Sequence, residues 1–309
     1  MQASEIKRVL IIGSGTMGRH IGFQNALYGC EVVLYDLKQE IVDDAVDHTR
    51  KIAAGFVKRG FITEAMAADA LARIITTTDA AQASAGVSLV NESIPESISL
   101  KRKVWADFGK YLPAGAILTT NTSTLLPSLF AESSGNPSRF LAWHFNLPVF
   151  TANIVDVMPH AGTDRAVTQA MVDHSKRIGL IPIVIEKEWR KYVFNEIFTA
   201  VQSSALRLAA CNVASVEDID RSWMVILNAP FGPFAIMDNV GIDTTFSALK
   251  EEVASNPSFP HGSEMIAFLK AKVDGGALGR KTGKGFYNYP NPAYENPDFL
   301  ERVRPKYRM

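Results

Sequence analysis

The chain of 309 residues exceeds the usual size of a single domain, and a hydrophobic content of 47% is ample for a large core, so two domains are expected. Its 32 basic residues balance 32 acidic ones. This balance lacks the phosphate-neutralising charge that nucleic-acid binding needs, and no apolar run approaches a membrane-spanning length, so neither partner is expected. The locally basic end of the chain is predicted to be a solvated terminus (Arg302, Arg304, Lys306 and Arg308).

Cysteine usage and the first residues indicate the compartment. Cys30 and Cys211 lie far apart in apolar or helical surroundings, as expected of reduced, buried thiols in a reducing cytosol. The chain enters an apolar strand at Val9, which leaves no room for the apolar stretch of a signal peptide. We therefore expect a soluble cytoplasmic protein.

The strongest local signal is VLIIGSGTMG at 9–18, an apolar strand that runs into a glycine turn and then a helix. Gly13 permits the tight turn, Gly15 lets the backbone approach a pyrophosphate, and Gly18 lets the helix pack against the strand. The helix start faces the phosphates with its free N–H groups. The loop therefore predicts a dinucleotide site that includes Gly13, Gly15, Thr16, Met17 and Gly18.

The second strand, Glu31–Tyr35, ends at Asp36, about twenty residues past the glycine loop. An acid at this position accepts hydrogen bonds from the adenosine ribose and repels a 2′-phosphate, so NAD is favoured over NADP. Lys38 is a nearby base that opposes this preference. The alternative interpretation of Asp36 is a turn aspartate after an ordinary strand.

Strand and helix patterns alternate up to Ile185, with predicted strands at 9–12, 31–35, 74–78, 87–90, 116–120, 140–145, 153–157 and 181–185 and helices at 16–28, 39–59, 64–72, 99–111 and 165–178. From Glu188 onward the pattern is helical, at 192–210, 216–227, 242–253 and 263–272. The predicted fold class is therefore α/β. A Rossmann-type, mostly parallel sheet domain at 1–187 precedes a smaller all-helical C-terminal domain at 188–309.

Several motifs occur in a fixed order, namely GSGTMG at 13–18, NESIPE at 91–96, TNTS at 120–123, HFN at 144–146, PFGPF at 230–234, VGIDTT at 240–245 and GRKTGKGFY at 279–287. In this the chain resembles the NAD-dependent L-3-hydroxyacyl-CoA dehydrogenases, a family that includes 3-hydroxybutyryl-CoA dehydrogenases. The resemblance spans nearly the whole chain. Gulonate dehydrogenases and other relatives that oxidise hydroxy acids share the same plan, so the motifs specify the substrate less closely.

The resemblance implies the site residues. The catalytic histidine of the family matches His144, and its partner acid, usually glutamate, matches Asp156. The active-site serine matches Ser123, and the asparagine of the second domain matches Asn195. Residues expected on the cofactor side, toward the nicotinamide ribose or beside it, are Glu96, Lys101, Asn121 and Ser123. Two segments depart from the family pattern and border the expected substrate pocket, WRKY at 189–192 and HFNLP at 144–148.

The chemistry of alcohol oxidation fits these residues. Hydride transfer requires a base that takes the hydroxyl proton, and a histidine accepts and returns a proton near neutral pH. Asp156 would orient the imidazole and stabilise the imidazolium. The alternatives are a structural histidine, a polar strand residue at Asp156, an N-cap at Ser123 and a surface amide at Asn195.

The remaining histidines show no metal-ligand spacing, so no metal is expected; they are His20, His48, His160, His174, placed on a surface helix, and His261. Lys58 and Arg59 are interpreted as a charged helix end or as contacts for coenzyme A phosphates. The stretch 281–285 lacks a preceding strand and is interpreted as a turn that packs the last helices.

The sequence thus predicts NAD-dependent oxidation of a short-chain L-3-hydroxyacyl-CoA and the reverse reduction. Two alternatives stay open: a dehydrogenase for a free hydroxy acid or small hydroxylated carboxylate, and a non-catalytic NAD-binding protein. A homodimer through the helical half is also predicted, because the apolar content around Pro230–Phe234 is high for a small domain.

Overall fold

The computed structural model describes residues 2–256 and 258–301, so the prediction for the basic terminus lies outside the described residues. The chain divides into two compact units, Met1–Phe194 and Asn195–Met309. The division falls slightly after the predicted boundary between 187 and 188, which stays a prediction. Each unit has a hydrophobic core of its own.

The first unit contains one eight-stranded sheet. Its strands are β1 (Arg8–Ile12), β2 (Glu31–Tyr35), β3 (Ile74–Thr77), β4 (Leu89–Glu92), β5 (Ile117–Thr120), β6 (Phe140–Phe145), β7 (Ile154–Pro159) and β8 (Ile181–Val184), in the order β3-β2-β1-β4-β5-β6-β7-β8. All neighbours are parallel except β6 and β7. The predicted mostly parallel Rossmann-type sheet is confirmed.

The antiparallel pair has a simple cause. Parallel neighbours need a crossover of about a dozen or more residues, whereas the segment between Phe145 and Ile154 is too short for one. The chain therefore turns back directly. This pairing places His144 opposite Asp156.

Helices flank the sheet of the first unit: α1 (Thr16–Leu27), α2 (Gln39–Lys58), α3 (Glu64–Ala72), α4 (Ala80–Ser84), α5 (Ile98–Phe108) and α6 (Arg165–Arg177). The short α4 was not predicted. Apolar residues of β1 and β2 are buried on both faces of the sheet, as in a central parallel layer. Strand β4 runs two residues beyond its predicted end, because Asn91 and Glu92 pair in register with Ile11 and Ile12 of β1.

The second unit is helical, as predicted. Its helices are α7 (Tyr192–Ala210), which begins at the end of the first unit, α8 (Val216–Leu227), α9 (Pro233–Val240), α10 (Ile242–Ser255), α11 (Gly262–Asp274) and α12 (Asp298–Glu301). The sequence patterns did not predict α9. Its first N–H groups, at Phe234 and Ala235, bond to the side chain of Asp220 on α8, so the capping residue is distant in sequence.

The glycine-rich stretch after α11 wraps around Asp238. Its carboxylate accepts hydrogen bonds from the backbone of Phe286 and Tyr287 and from the hydroxyl of Tyr289. A Cβ on Gly285 would lie 2.0 Å from Oδ1 of Asp238, so only glycine allows this approach. The motif is therefore a packing turn around a buried carboxylate.

Two placements differ from the sequence analysis. His174 has an exposed fraction of 0%, so its predicted surface position is wrong: Nε2 lies 2.9 Å from Oδ1 of Asn25, and the Arg177 guanidinium lies 3.0 Å from Nδ1. The imidazole is buried between α1 and α6, where Asn25 and Arg177 are its polar partners. Cys30 is buried as predicted, but Cys211 is only partly buried; both are free thiols.

Within the described ranges, no helix is both long enough and apolar enough to cross a bilayer.

Candidate active site

The glycine loop joins β1 to α1 in a tight turn. Gly13 has φ +98°, and its N–H donates to the carbonyl of Tyr35 at 2.9 Å. A Cβ on Gly18 would lie 1.9 Å from the carbonyl oxygen of Gly13 and 3.0 Å from Ile11. Both positions therefore require glycine, one for its dihedral angle and the other for close packing of helix on strand.

Gly15 has a different environment. It is the N-cap of α1, and a Cβ built on it would have no atom within 4 Å. Thr16 and Met17 follow in the first turn, where backbone N–H groups have no partner inside the helix. Open space beside a positive helix end fits the pyrophosphate of a dinucleotide.

Asp36 is held beside this loop at the end of β2. Its Oδ2 accepts from the backbone N–H of Ser14 at 2.9 Å and from the Ser14 hydroxyl at 3.1 Å, and its Oδ1 accepts from the N–H of Leu37 at 2.8 Å. The carboxylate is therefore fixed next to the phosphate loop. Lys38, the nearby base, is exposed, and its Nζ lies 3.5 Å from Oε1 of Glu40.

His144 and Asp156 form a buried pair near the end of β6 and the start of β7. Nδ1 of His144 lies 2.9 Å from Oδ2 of Asp156, and the exposed fractions of the two residues are 4% and 1%. A carboxylate at Nδ1 fixes the tautomer that carries a proton there. Nε2 makes no hydrogen bond to any residue that the structure describes and is free to accept a proton.

The face of the imidazole packs against Tyr192, at the start of α7. The two ring centroids lie 4.8 Å apart with an interplanar angle of 35°, and the tyrosine hydroxyl lies 3.4 Å from the carbonyl of Leu125. Burial, with the charges of Glu96 and Asp156, raises the pKa of Tyr192 well above its ordinary value. Tyr192 is therefore an uncharged aromatic side chain that packs against one face of the His144 imidazole. Tyr192 is the last residue of the WRKY segment at 189–192, and no role was predicted for it from the sequence.

The segment after β5 carries Asn121 and Ser123. The side-chain oxygen of Asn121 accepts from the N–H of Phe145 at 2.9 Å, which ties this segment to the residue after His144. The Ser123 side chain is exposed, and its N–H donates to Oε1 of Glu96 at 3.0 Å. These contacts place the exposed serine hydroxyl at the carboxyl end of the sheet, near the histidine strand.

Glu96 and Lys101 differ in accessibility. The side chain of Glu96 is 37% exposed, whereas that of Lys101 is 1% exposed. Burial raises the pKa of Glu96, but the Thr122 hydrogen bond and the Lys101 charge outweigh it and hold that pKa below its ordinary value. Lys101 itself lies behind Glu96, with its ammonium 2.6 Å from Oε1 of Glu92. The sequence analysis gave no role to Glu92.

A cavity of about 310 Å³ lies between the start of α1 and the ends of β4 and β5; we call it the β4–β5 cavity. It is lined by Met17, Ser93, Ile94, Glu96, Asn121, Ser123 and Thr124. The cavity thus brings Met17 of the glycine motif together with Glu96, Asn121 and Ser123, three of the residues predicted on the cofactor side. This arrangement fits a dinucleotide whose phosphates lie at α1 and whose reactive ring lies toward Ser123.

A second cavity, of about 320 Å³, lies along α2; we call it the α2 cavity. It is lined by His20, Lys51, Ile52, Gly55, Phe56, Arg59, Leu147 and Pro148. Arg59 lies over the rings of Phe56 and Phe61, at 5.3 Å and 5.1 Å from their centroids. Of the two basic residues singled out in the sequence, Arg59 lines this cavity and Lys58 does not.

Asn195 is the first residue of the second unit, half-buried on α7. Its carbonyl accepts from the Thr199 hydroxyl at 2.6 Å. Its role in the site stays a prediction. No group of three or more metal-binding side chains occurs within residues 2–256 and 258–301.

Known proteins are similar to this chain over most of its length. The hydroxyacyl-coenzyme A dehydrogenase of Rattus norvegicus mitochondria is 32% identical over 92% of this chain and 91% of its own length. A probable 3-hydroxybutyryl-CoA dehydrogenase of Deinococcus radiodurans is 30% identical over 90% of this chain and 99% of its own.

Solved structures are similar as well. A diketoreductase described as a dual catalyst of dicarbonyl compounds is 36% identical, with a TM-score of 0.85, over 92% of this chain and 99% of its own. The (S)-3-hydroxybutyryl-CoA dehydrogenase of Ralstonia eutropha is 29% identical, with a TM-score of 0.82, over 93% and 100%.

The family models match both parts of the chain. The NAD-binding domain of 3-hydroxyacyl-CoA dehydrogenase matches residues 8–189, and the C-terminal domain of the same enzyme matches residues 192–289. The chain therefore belongs to the 3-hydroxyacyl-CoA dehydrogenase family, whose members are NAD-dependent oxidoreductases.

Proposed function

We propose that the protein oxidises a short-chain L-3-hydroxyacyl-CoA to the 3-oxoacyl-CoA and catalyses the reverse reduction, with His144 as the general base and acid. The observation that carries this proposal is the buried pair of His144 and Asp156, in which Nδ1 and Oδ2 are hydrogen-bonded at 2.9 Å. Such a pair holds one nitrogen fixed and leaves the other free for proton transfer.

In the oxidation, Nε2 of His144 takes the proton of the substrate hydroxyl, and Asp156 stabilises the imidazolium that results. Bound NAD supplies the hydride acceptor. Oδ1 of Asp156 has no hydrogen-bond partner among the described residues. Within the described part of the chain, the imidazole of His144 is therefore the hydrogen-bond partner of this carboxylate. In the reduction, the imidazolium returns its proton to the developing alkoxide.

The substrate oxygens need donors while charge develops on them. We assign this role to the exposed hydroxyl of Ser123 and to the amide of Asn195. Ser123 lines the β4–β5 cavity, where the reactive ring of the cofactor is placed in this proposal. Asp36, held in place by Ser14, would accept hydrogen bonds from the hydroxyls of the adenosine ribose, at the other end of the cofactor.

The α2 cavity supports a coenzyme A thioester. Its charged members are Lys51 and Arg59, and its apolar members include Ile52, Phe56 and Leu147. A cationic rim over an apolar surface suits a phosphorylated carrier with an apolar arm. The adjoining residues Leu147 and Pro148 follow β6, so the cavity lies near the strand that carries His144.

A second candidate function is the reduction of a free dicarbonyl compound or the oxidation of a free hydroxy acid. Similarity to the diketoreductase favours it, as do the departures at 144–148 and 189–192. The intact His144 and Asp156 pair argues against a non-catalytic NAD-binding protein.

A comparison of candidate substrates tests the proposal. NADH oxidation is followed with acetoacetyl-CoA, with free acetoacetate and with a panel of free dicarbonyl compounds. We expect kcat/KM to be highest with the thioester. No turnover of the thioester, together with turnover of a free dicarbonyl compound, would overturn the first function and establish the second.

We also propose a homodimer that forms through the second unit. Apolar side chains in the last turn of α8 are exposed, with fractions of 57% at Val225, 81% at Ile226 and 55% at Leu227. An apolar patch of this kind is typical of an interface. Light scattering at micromolar protein should give twice the chain mass, and a monomer mass would refute the dimer.

Localisation in the cytoplasm is part of the same proposal. Two unpaired cysteines are consistent with a reducing compartment. Relatives include mitochondrial proteins as well as a protein of Deinococcus radiodurans. Fractionation of the source cells, with the native chain detected by antibody, distinguishes the two compartments.

A further inference from the structure

The aromatic ring of Tyr192 covers one face of the His144 imidazole. We propose that Tyr192 is a positioning residue for the reaction: its ring holds the imidazole in the orientation in which Nδ1 meets Asp156, and it stabilises the imidazolium that forms when Nε2 takes a proton. The inference rests on the proposed function only in making His144 the group that takes this proton. It gives a role to the last residue of the segment 189–192, one of the two segments that depart from the family pattern.

The two rings are in close contact inside the protein. Their centroids lie 4.8 Å apart at an interplanar angle of 35°, which is within the range of favourable aromatic pairs. The exposed fractions are 4% for His144 and 1% for Tyr192. An imidazole that turns about its Cβ–Cγ bond needs space on both faces. Because Tyr192 fills one face, the ring is kept in the orientation that bonds Nδ1 to Asp156.

Tyr192 is itself held by the strands of the catalytic pair. Its ring belongs to a buried apolar cluster with Ala142 of β6, Met158 of β7 and Ile185. Its hydroxyl donates to the carbonyl of Leu125, in the segment after β5, at 3.4 Å. The tyrosine is therefore fixed relative to β6 and β7, the two strands that carry the histidine and its acid.

The backbone at Tyr192 has an uncommon conformation. Its φ is 61°, in the left-handed region that bulky residues seldom adopt. Such a conformation persists only where the surrounding structure holds it, and it is concentrated at functional sites. Here the buried ring and the N–H of Trp189, which lies 3.3 Å from Sδ of Met158, hold the chain. The segment 189–192 thus accepts backbone strain at the residue that contacts the histidine.

An uncharged aromatic face also favours the protonated histidine. The face of an aromatic ring carries negative charge density and attracts a cation within about 6 Å of its centroid. Tyr192 stays uncharged because burial, together with the charges of Glu96 and Asp156, raises its pKa. The neutral imidazole gains less from this face than the imidazolium does. Tyr192 therefore acts on the step in which His144 takes the substrate proton.

Two substitutions separate the ring from the hydroxyl. Tyr192→Phe keeps the ring, and Tyr192→Leu removes it; both keep a side chain at the positive φ, so the backbone cost is similar. We expect kcat close to the wild-type value for the phenylalanine variant. For the leucine variant we expect kcat about tenfold lower, the size of a buried contact between a cation and an aromatic face. The Kd for NADH, from fluorescence titration, should be unchanged in both.

Phe140→Leu is the matched control. Phe140 lies on the same strand as His144, has an exposed fraction of 0% and packs against Trp105 instead of the histidine, with ring centroids 5.0 Å apart. This variant also loses a buried ring, so its Tm should fall as that of Tyr192→Leu does. Its kcat should stay at the wild-type value. An equal loss of kcat in the control would assign the effect to general destabilisation and overturn the proposal.

A double-mutant cycle tests whether Tyr192 acts through His144. In a chain that already carries His144→Ala, the change Tyr192→Leu should lower kcat no further, because no imidazole is left to position. An additive loss would overturn the proposal, as would wild-type kcat in Tyr192→Leu alone. Where the leucine variant does not fold, Tyr192→Met takes its place, since methionine fills more of the space without an aromatic face.

Proton NMR gives a readout that needs no substrate. The Nδ1 proton between His144 and Asp156 should give a downfield resonance in the wild type and in Tyr192→Phe. In Tyr192→Leu this resonance should broaden, because the imidazole turns more freely and its face is open to water. A resonance as sharp as in the wild type would overturn the positioning role. Failure of the thioester assay would overturn the proposed substrate, and kcat would then be measured with the free dicarbonyl compound.

Discussion

Oδ2 of Asp156 lies 2.9 Å from Nδ1 of His144 because the two residues are direct partners across the antiparallel strands β6 and β7. No bridging group is needed between carboxylate and imidazole. Asp156 therefore makes directly the contact that the family resemblance assigns to a longer glutamate side chain.

Removal of either member of this pair should lower kcat more than cofactor binding. His144→Ala removes the base and should lower kcat by about a hundredfold or more. Asp156→Asn keeps the shape but loses the charge that stabilises the imidazolium, so kcat should fall with little change in the Kd for NADH. Steady-state kinetics and fluorescence titration measure both quantities. His48→Ala, at a histidine of α2 whose side chain is 43% exposed, is the control. Full activity of Asp156→Asn across pH would show that His144 has another partner.

Asp156→Glu tests the direct contact. Position 156 has an exposed fraction of 1%, so there is little room for the extra methylene. The carboxylate of Asp156 already lies at hydrogen-bond distance from the imidazole of His144. We expect the imidazole to be displaced and kcat to fall, because small misplacements at the reacting centre are costly. Unchanged or higher kcat would mean that the strands readily shift to accept the longer acid.

Asp36→Ala should relax the preference for NAD. The substitution removes the negative charge that would face a 2′-phosphate, so the ratio of kcat/KM with NADP to that with NAD should rise. It also removes the acceptor of Ser14, so kcat/KM with NAD should fall. Asp43→Ala, an exposed residue on α2, should leave the ratio unchanged. If Asp36→Ala also leaves it unchanged, Asp36 is only a turn residue.

The sequence was most informative where function depends on local spacing. Gly13, Gly18 and Asp36 lie within one strand, turn, helix and strand, and their geometry follows from residues close to them in the chain. The predicted link between His144 and Asp156 needed the family resemblance, because spacing alone does not state whether two strands run parallel or antiparallel. The structure supplies the reason in the short connection between β6 and β7.

Features that depend on distant partners were missed. Helix α9 begins at a proline and is capped by Asp220 from α8, so no local residue marks its start as a polar cap would. Glu92 was not singled out, because its value lies in contacts with Lys101 on α5 and Thr120 on β5. His174 was placed on the surface since α6 is rich in charge, yet its partner Asn25 is far away in the chain.

The buried His174 predicts acid sensitivity of the fold. Burial, with the charge of Arg177, lowers the pKa of His174 to about 3, against an ordinary value of 6.5. The unfolded chain therefore binds a proton that the folded chain does not at pH values between these two. The stabilisation is complete above pH 6.5 and is lost progressively as pH falls toward 3, to a total of about 5 kcal/mol at most.

The measurement is the free energy of unfolding in guanidinium chloride at pH 7.5 and pH 5.0. In His174→Gln, stability at pH 7.5 should fall, because Asn25 and Arg177 lose a partner, and the further loss on going to pH 5.0 should be smaller than in the wild type. His48→Gln, whose side chain is 43% exposed, should keep the wild-type difference between the two pH values. A wild-type difference in His174→Gln as well would mean that the proton taken up on acid unfolding belongs to another group.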